Sequence, residues 1–138
     1  MEDIAINYLA LFVAAFASMT LGFLWYMPGV FGKRWMVSAG ITPEKMEQGK
    51  KRIPIGIIAG FVCQMVTAYV LVHFIALAEV TTVSEALELA FWAWLGFFAV
   101  MSFHAVVWEG KPTVYWAINA GYQLAALGLM SLILVLWV

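Results

Sequence analysis

The sequence contains few charged residues and a single cysteine. Only 11% of its 138 residues are charged, whereas roughly a quarter are charged in a soluble domain, and the mean hydropathy is +0.96. This composition excludes a soluble globular domain, and the net charge of −1 argues against nucleic-acid binding. The one cysteine, Cys63, excludes an intramolecular disulfide and a cysteine-based metal cluster within one chain.

Long apolar runs make up most of the chain. Each run is long enough to cross a hydrocarbon core of ~30 Å as a helix, and none has the period-two alternation of a strand. Because lipid cannot hydrogen-bond an exposed backbone, we expect these runs to be helical. The sequence predicts one all-α domain, a polytopic bundle of four transmembrane helices with spans at 4–27, 53–78, 85–108 and 114–138.

The basic residues are confined to two connecting segments. All seven lie between the first and second spans or between the third and fourth. The positive-inside rule therefore places both segments in the cytoplasm and both termini outside. The chain begins Met-Glu-Asp where a secretory signal peptide would be basic, so we expect the first span to be a retained helix with an external N-terminus.

The first connecting segment, 28–52, is the largest predicted soluble element. Thr42-Pro43-Glu44 combines an N-cap, a proline at the first helical position and an acid in the first turn, which predicts a short cytoplasmic helix over 43–51. Two interpretations of the segment are open. It is either an anchoring loop with ordinary positive-inside charges or a binding site for anionic lipid headgroups. The headgroup hypothesis uses Lys50, Lys51 and Arg52.

Small residues recur at four-residue spacing in the spans, a pattern that lets helix backbones approach closely in lipid. The pattern does not distinguish contacts within one chain from contacts between chains. The residues are Ala14, Ser18 and Gly22 in the first span, Gly56 and Gly60 in the second, and Ala117, Gly121 and Ala125 in the fourth, with a looser pair, Ala93 and Gly96, in the third.

Charged residues are missing from the middle of every span, which argues against a proton-coupled exporter with a central carboxylate. His73 and His104 are the two titratable side chains expected within the core. Their positions along the helices place them in opposite leaflets, so they cannot share a haem or a metal ion. We expect a helix-bonded or interfacial imidazole at His73, and neither a metal site nor a cofactor.

Polar and aromatic side chains gather at the cytoplasmic end of the last helical hairpin. Residues 115, 119 and 122 share one face of the fourth helix, opposite the end of the third. This arrangement predicts a polar pocket that is either a hydrogen-bonded network holding the hairpin together or a site for a ligand, an ion or a lipid. The predicted pocket comprises Gln64, His104, Trp108, Glu109, Tyr115, Asn119, Tyr122 and Gln123.

Two motifs resemble a known bacterial membrane family, the domain of unknown function 1761. They are Trp-Tyr-x-Pro-x-x-Phe-Gly-x-x-Trp, which starts at Trp25, and Asn-Ala-Gly-Tyr, which starts at Asn119. Met27 stands where that family is expected to have a small polar residue. The resemblance implies a four-helix protein of the bacterial cytoplasmic (inner) membrane with no assigned activity and no catalytic residues to carry over. The first motif marks a cytoplasmic corner formed by Trp25, Tyr26, Pro28, Phe31, Gly32 and Trp35.

Three functions are open from the sequence. The favoured hypothesis is a non-enzymatic small transporter or channel-like protein that works as a homo-oligomer, because four helices alone rarely enclose a solute path. The alternative is an accessory or scaffold subunit that binds another membrane protein in a larger complex. The third is a membrane enzyme acting on a lipid or quinone-like substrate with His104 as base and Glu109 orienting it, although a spacing of five separates the two by ~140° on a helix.

Overall fold

The structure is a computed structural model that describes residues 4–137. Residues 1–3 and Val138, the last residue of the fourth predicted span, lie outside this range. Within it the secondary structure is helical and contains no strand. The six helices are α1 (Tyr8–Trp25), α2 (Lys33–Ala39), α3 (Pro43–Gly49), α4 (Ile53–Leu77), α5 (Val83–Val107) and α6 (Thr113–Leu136).

Four of these helices, α1, α4, α5 and α6, are long and apolar enough to cross a membrane, as the sequence predicted. They alternate in direction, so α1 and α5 end where α4 and α6 begin. That end carries every Lys and Arg of the chain and is called the basic end. The opposite end carries Glu79, Glu85 and Glu88 and is called the acidic end.

Local capping signals account for several helix boundaries. Thr42 caps α3 as predicted, because its hydroxyl accepts a hydrogen bond from the amide of Lys45 at 3.3 Å. At the acidic end Thr82 and Glu85 form a reciprocal capping box that begins α5. Helix α2 was not predicted, and a π-helical turn at Pro28–Gly32 leads the chain into it.

Helix α5 changes its winding midway, which the sequence did not predict. An α-helical segment to Trp94 is followed by a π-helical turn at Leu95–Ala99 and by two short helical pieces, Val100–Ser102 and His104–Val107. The indole nitrogen of Trp116 on α6 donates a 3.1 Å hydrogen bond to the carbonyl of Ala99. A side chain from the neighbouring helix thus bonds to the backbone at the end of the π turn.

The core lies along α6, which packs against α1 on one side and α5 on the other, while α4 packs mainly against α1. Seven buried residues from α1, α4 and α6 form one apolar cluster toward the acidic end. They are Ala10, Leu11, Ala14, Ala68, Leu71, Met130 and Leu134. The outward faces of α4 and α5 are apolar and exposed, as expected of helices that face lipid.

Some of the small residues make the close contacts that their spacing predicted. A side chain at Gly22 would lie 3.0 Å from the hydroxyl of Tyr122, and one at Gly121 would lie 3.1 Å from the ring of Trp25. A Cβ added at Gly56 or Gly96 would have no neighbouring atom within 4 Å, so these two glycines make no close contact with another helix of the described chain. Tight packing is therefore concentrated where α1 meets α6.

Candidate functional site

Three polar side chains from different helices form a closed network inside the bundle. The Ser18 hydroxyl donates to Oε1 of Gln64 at 2.9 Å, and Nε2 of Gln64 donates to the Tyr122 hydroxyl at 3.3 Å. The Tyr122 hydroxyl donates to the backbone carbonyl of Ser18 at 3.0 Å. Ser18 is fully buried, Tyr122 is 7% exposed and Gln64 is partly buried, so these hydrogen bonds join α1, α4 and α6 largely inside the bundle.

A second polar contact lies beside this network, nearer the basic end. The Tyr26 hydroxyl donates to Oδ1 of Asn119 at 2.6 Å. The Tyr26 ring packs edge-on against Tyr122, with centroids 5.5 Å apart, and against Trp35, at 5.4 Å. Tyr26 therefore links the buried network to the corner that follows α1.

The π turn at Pro28–Gly32 explains the corner motif. At Gly32 a Cβ would come within 2.3 Å of the backbone oxygen of Tyr26, so only glycine fits there. The Trp25 indole stacks on Phe31, with centroids 4.8 Å apart, and donates a 3.0 Å hydrogen bond to the carbonyl of Ile118. The motif thus folds the chain back onto α6.

The Trp35 indole is the exception in this corner. Its nitrogen is buried and has no hydrogen-bond partner among the residues that the structure describes. Trp25, Trp94 and Trp116, by contrast, each donate to a backbone carbonyl of a neighbouring helix at 2.7–3.1 Å. These indoles hold helices together, a role that sequence reasoning missed because it depends on which helices are neighbours.

A cleft of about 300 Å³ lies between α5 and α6 at the basic end. Its polar side chains include those of Ser102, His104, Glu109, Tyr115 and Asn119, and the rest of its wall is made of Phe98, Met101, Ala105 and Trp116. Within residues 4–137 no hydrogen bond joins His104 to Glu109. The geometry offers a small, mostly apolar recess near the basic end, lined by one imidazole and one carboxylate.

The predicted pocket is therefore divided in the structure. His104, Glu109, Tyr115 and Asn119 line the cleft, whereas Gln64 and Tyr122 point to Ser18 in the buried network. Asn119 belongs to the cleft and also bonds to Tyr26. Two predicted members join neither group: Gln123, and Trp108, whose side chain is 80% exposed.

Sequence reasoning missed Ser18 and Tyr26 as members of the polar cluster. It paired α6 with α5, its neighbour along the chain, whereas α1 supplies the buried partners. A signal was present, since Ser18 is the hydroxyl-bearing member of the small-residue pattern in the first span. Small polar residues in spanning helices bond across helices as well as allowing close approach.

The basic residues lie on two separate surfaces. Lys50, Lys51 and Arg52 occupy an exposed 3₁₀ turn between α3 and α4, where Lys50 pairs with Glu47 at 2.7 Å. Lys33 and Arg34 line a wide groove between α2 and the start of α6. Nothing in these contacts bears on lipid binding, so the headgroup hypothesis for Lys50, Lys51 and Arg52 stays a prediction.

The sequence also led to expectations for His73 and for metal binding. His73 Nδ1 lies 2.8 Å from the carbonyl of Tyr69, one turn earlier on α4, which confirms a helix-bonded imidazole. Across the described part of the chain, no group of three His, Cys, Asp or Glu side chains is placed to hold a metal ion.

Comparison with known families finds a match. The model of a family described as Protein of unknown function (DUF1761) matches residues 9–135. No curated protein and no solved structure matches the chain.

Proposed function

Since this chain belongs to the family Protein of unknown function (DUF1761), whose description assigns no activity, we propose a function from its own side chains. We propose a non-enzymatic integral membrane protein that moves a small polar solute as a homo-oligomer. In this proposal the α5–α6 cleft is the cytoplasmic entrance, the basic end faces the cytoplasm, and both termini lie outside the inner membrane.

The observation that carries the proposal is the double role of Asn119. Its side chain lines the cleft and accepts the hydrogen bond from Tyr26, whose ring touches Tyr122 of the buried network. Two hydrogen-bonded groups therefore follow one another from the cleft to Ser18 and Gln64 inside the bundle, joined by the ring contact between Tyr26 and Tyr122. Polar groups inside a spanning bundle are costly and are typical of solute and ion pathways.

The polar path ends at the apolar cluster. Beyond Ser18, Ala14 and Met130 close the bundle toward the acidic end, and each is at most 1% exposed. A solute could pass this point only after a rearrangement of α1 against α6 or along an interface with a second chain. The exposed apolar faces of α4 and α5 leave room for such an interface, which is why the proposal includes a homo-oligomer.

Cysteine accessibility tests the path without knowledge of the solute. The Cys63→Ala chain is cysteine-free, and single cysteines are placed at Ser102 in the cleft and at Ser18 in the network. A small water-soluble methanethiosulfonate reagent is applied to each side of vesicles. We expect Ser102→Cys to react from the cytoplasmic side and Ser18→Cys to react more slowly, since water reaches it only when the bundle opens.

Two controls give this result its meaning. Gln48→Cys, on the exposed α3, reports which side the basic end faces. Ala126→Cys, fully buried on α6 one turn beyond Tyr122 and past the end of the polar path, should stay unreactive. If Ser18→Cys is as inert as Ala126→Cys in a chain that still folds, the network is a sealed structural element and the solute path does not exist.

Native mass spectra of the protein released from lipid nanodiscs test the assembly. A defined homo-oligomer supports the proposal. A stoichiometric foreign subunit retained after gentle solubilisation would instead support the accessory-subunit hypothesis and count against transport by this chain alone.

A further inference from the structure

A second and larger cavity, of about 520 Å³, opens at the acidic end of the bundle. It lies where α1 begins and where α4 and α6 end. Most of its wall is apolar and includes Ile6, Val72, Ile75 and Leu134. This volume lies in the range of ~300–1,000 Å³ that is typical of small-molecule sites.

Three polar residues line the rim of this cavity, and two of them already form hydrogen bonds within the chain. Oδ1 of Asn7 accepts the amide of Ala10 at 3.2 Å and so caps α1. The amide of Thr81 donates to Glu85 at 2.9 Å. The carboxylate of Glu79, the third, makes no hydrogen bond or ion pair with the residues that the structure describes. It is therefore the rim group that is available to a ligand.

The backbone of Glu79 is unusual for a glutamate. It follows α4 in the left-handed region, with φ of 53°, and its helix end is closed by hydrogen bonds from Glu79 to Ala76 and from Val80 to Ile75. Helix α2 ends in the same pattern, with Gly40 at the left-handed position. Glycine adopts this conformation without steric penalty. The backbone of Glu79, at the cavity rim, is therefore held in a conformation that is unfavourable for a residue with a side chain. Such conformations are often found at functional sites.

Charge at this end is of one sign. The charged side chains of the described acidic end are Glu79, Glu85 and Glu88, and every Lys and Arg lies at the opposite end. The charged side chains that the structure describes at this end would repel a ligand anion. A cation would be attracted by Glu79, and Trp137, which also lines the cavity, offers an aromatic face that favours cations.

We propose that this cavity binds a lipophilic cation, an apolar body that carries a quaternary or protonated nitrogen or a phosphonium centre. The apolar body occupies the wall between α1, α4 and α6, and the positive centre lies at Glu79. Two sources share this chemistry, a free amphiphilic cation and the ammonium group of a zwitterionic lipid. The site does not depend on solute transport through the α5–α6 cleft, so either proposal can fail alone.

Two probes of similar shape and opposite charge test the site: tetraphenylphosphonium and tetraphenylborate. Binding of each to the purified protein in neutral detergent is measured by equilibrium dialysis, for wild type and for Glu79→Gly. Glycine removes the carboxylate and suits the left-handed backbone, so this variant keeps its fold. We expect tetraphenylphosphonium to bind roughly fivefold more weakly to Glu79→Gly, as for the loss of one exposed charge pair.

Controls separate the site from general apolar binding. Glu88→Gln removes a carboxylate at the same end that does not line the cavity, and it should bind the phosphonium like wild type. Ala76→Phe fills the cavity with its charge intact and should weaken binding. Equal phosphonium binding by wild type and Glu79→Gly, or an equal loss of tetraphenylborate binding in that variant, would overturn the proposal.

Native mass spectra from nanodiscs that contain a zwitterionic lipid identify the source. Release of one retained lipid when tetraphenylphosphonium binds supports the site and assigns it to a headgroup. Phosphonium binding without lipid release supports a free cation. Failure of wild type to bind the phosphonium in either medium contradicts the proposal.

Discussion

The Tyr26 hydroxyl donates to Oδ1 of Asn119 across the α1–α6 interface at 2.6 Å. One residue comes from the corner after α1 and the other from the wall of the α5–α6 cleft. This hydrogen bond is where the two halves of the predicted pocket meet. Its loss should affect both the stability of the corner and the solute path proposed above.

Removing the Tyr26 hydroxyl tests this link. Tyr26→Phe keeps the ring contacts with Tyr122 and Trp35 but leaves Asn119 without its donor. We expect a loss of about 1 kcal/mol in the free energy of unfolding in mixed micelles. Tyr8→Phe, at an exposed position on α1, is the control and should be neutral. Equal stability of the two variants would show that the 2.6 Å contact contributes nothing.

The buried network should behave as a coupled unit. Gln64→Leu and Ser18→Ala each remove one member, and each should destabilise the fold by roughly 0.6–2 kcal/mol. Because the two side chains share a hydrogen bond, the double variant should lose less than the sum of the single losses. A double-mutant cycle measured by chemical unfolding gives the coupling energy. Strictly additive losses would contradict a shared network.

The corner provides a matched pair of glycines within the same π turn. An alanine at Gly32 would place its Cβ within 2.3 Å of a backbone oxygen. A Cβ added at Gly29 would have no neighbouring atom within 4 Å. We expect Gly32→Ala to destabilise the protein by at least about 2 kcal/mol, because backbone cannot move aside as a side chain can. Gly29→Ala should stay within about 0.5 kcal/mol of wild type. Thermal unfolding of both variants in detergent makes the comparison.

Glu79 and Gly40 hold the left-handed positions that end α4 and α2, and substitutions at these two residues should change the free energy of unfolding in opposite directions. Glu79→Gly relieves a conformation that costs an L-residue about 1–2 kcal/mol, offset in part by the greater freedom of glycine in the unfolded chain, and should stabilise the fold by about 0.5–1 kcal/mol. Gly40→Ala imposes this conformation on a side chain and should destabilise by about 1 kcal/mol. Unfolding midpoints that moved in the same direction for both variants would contradict this account.

The helices could be predicted from sequence because each spanning segment must satisfy its own backbone within lipid, so hydropathy alone marks it. The cap at Thr42 was predictable for a similar reason, since capping is local. The π turn that ends at Ala99 was not, because its end is bonded by Trp116 on another helix. The polar residues were predicted as one pocket, whereas the structure separates them into a cleft and a buried network. This separation depends on α1 lying beside α6, and one sequence does not encode helix neighbours in a readable pattern.

The order of the helices along the chain has a consequence for biosynthesis. Helix α6 carries Tyr122, the partner of Ser18 and Gln64, and it supplies the packing surface for both α1 and α5. The ribosome translates α1, α4 and α5 before α6. Until α6 has entered the membrane, Ser18 and Gln64 lack that partner, and α1 and α5 lack their common neighbour. A released chain truncated before residue 113 should therefore be a substrate for membrane quality control, while a released chain that includes α6 should resist it.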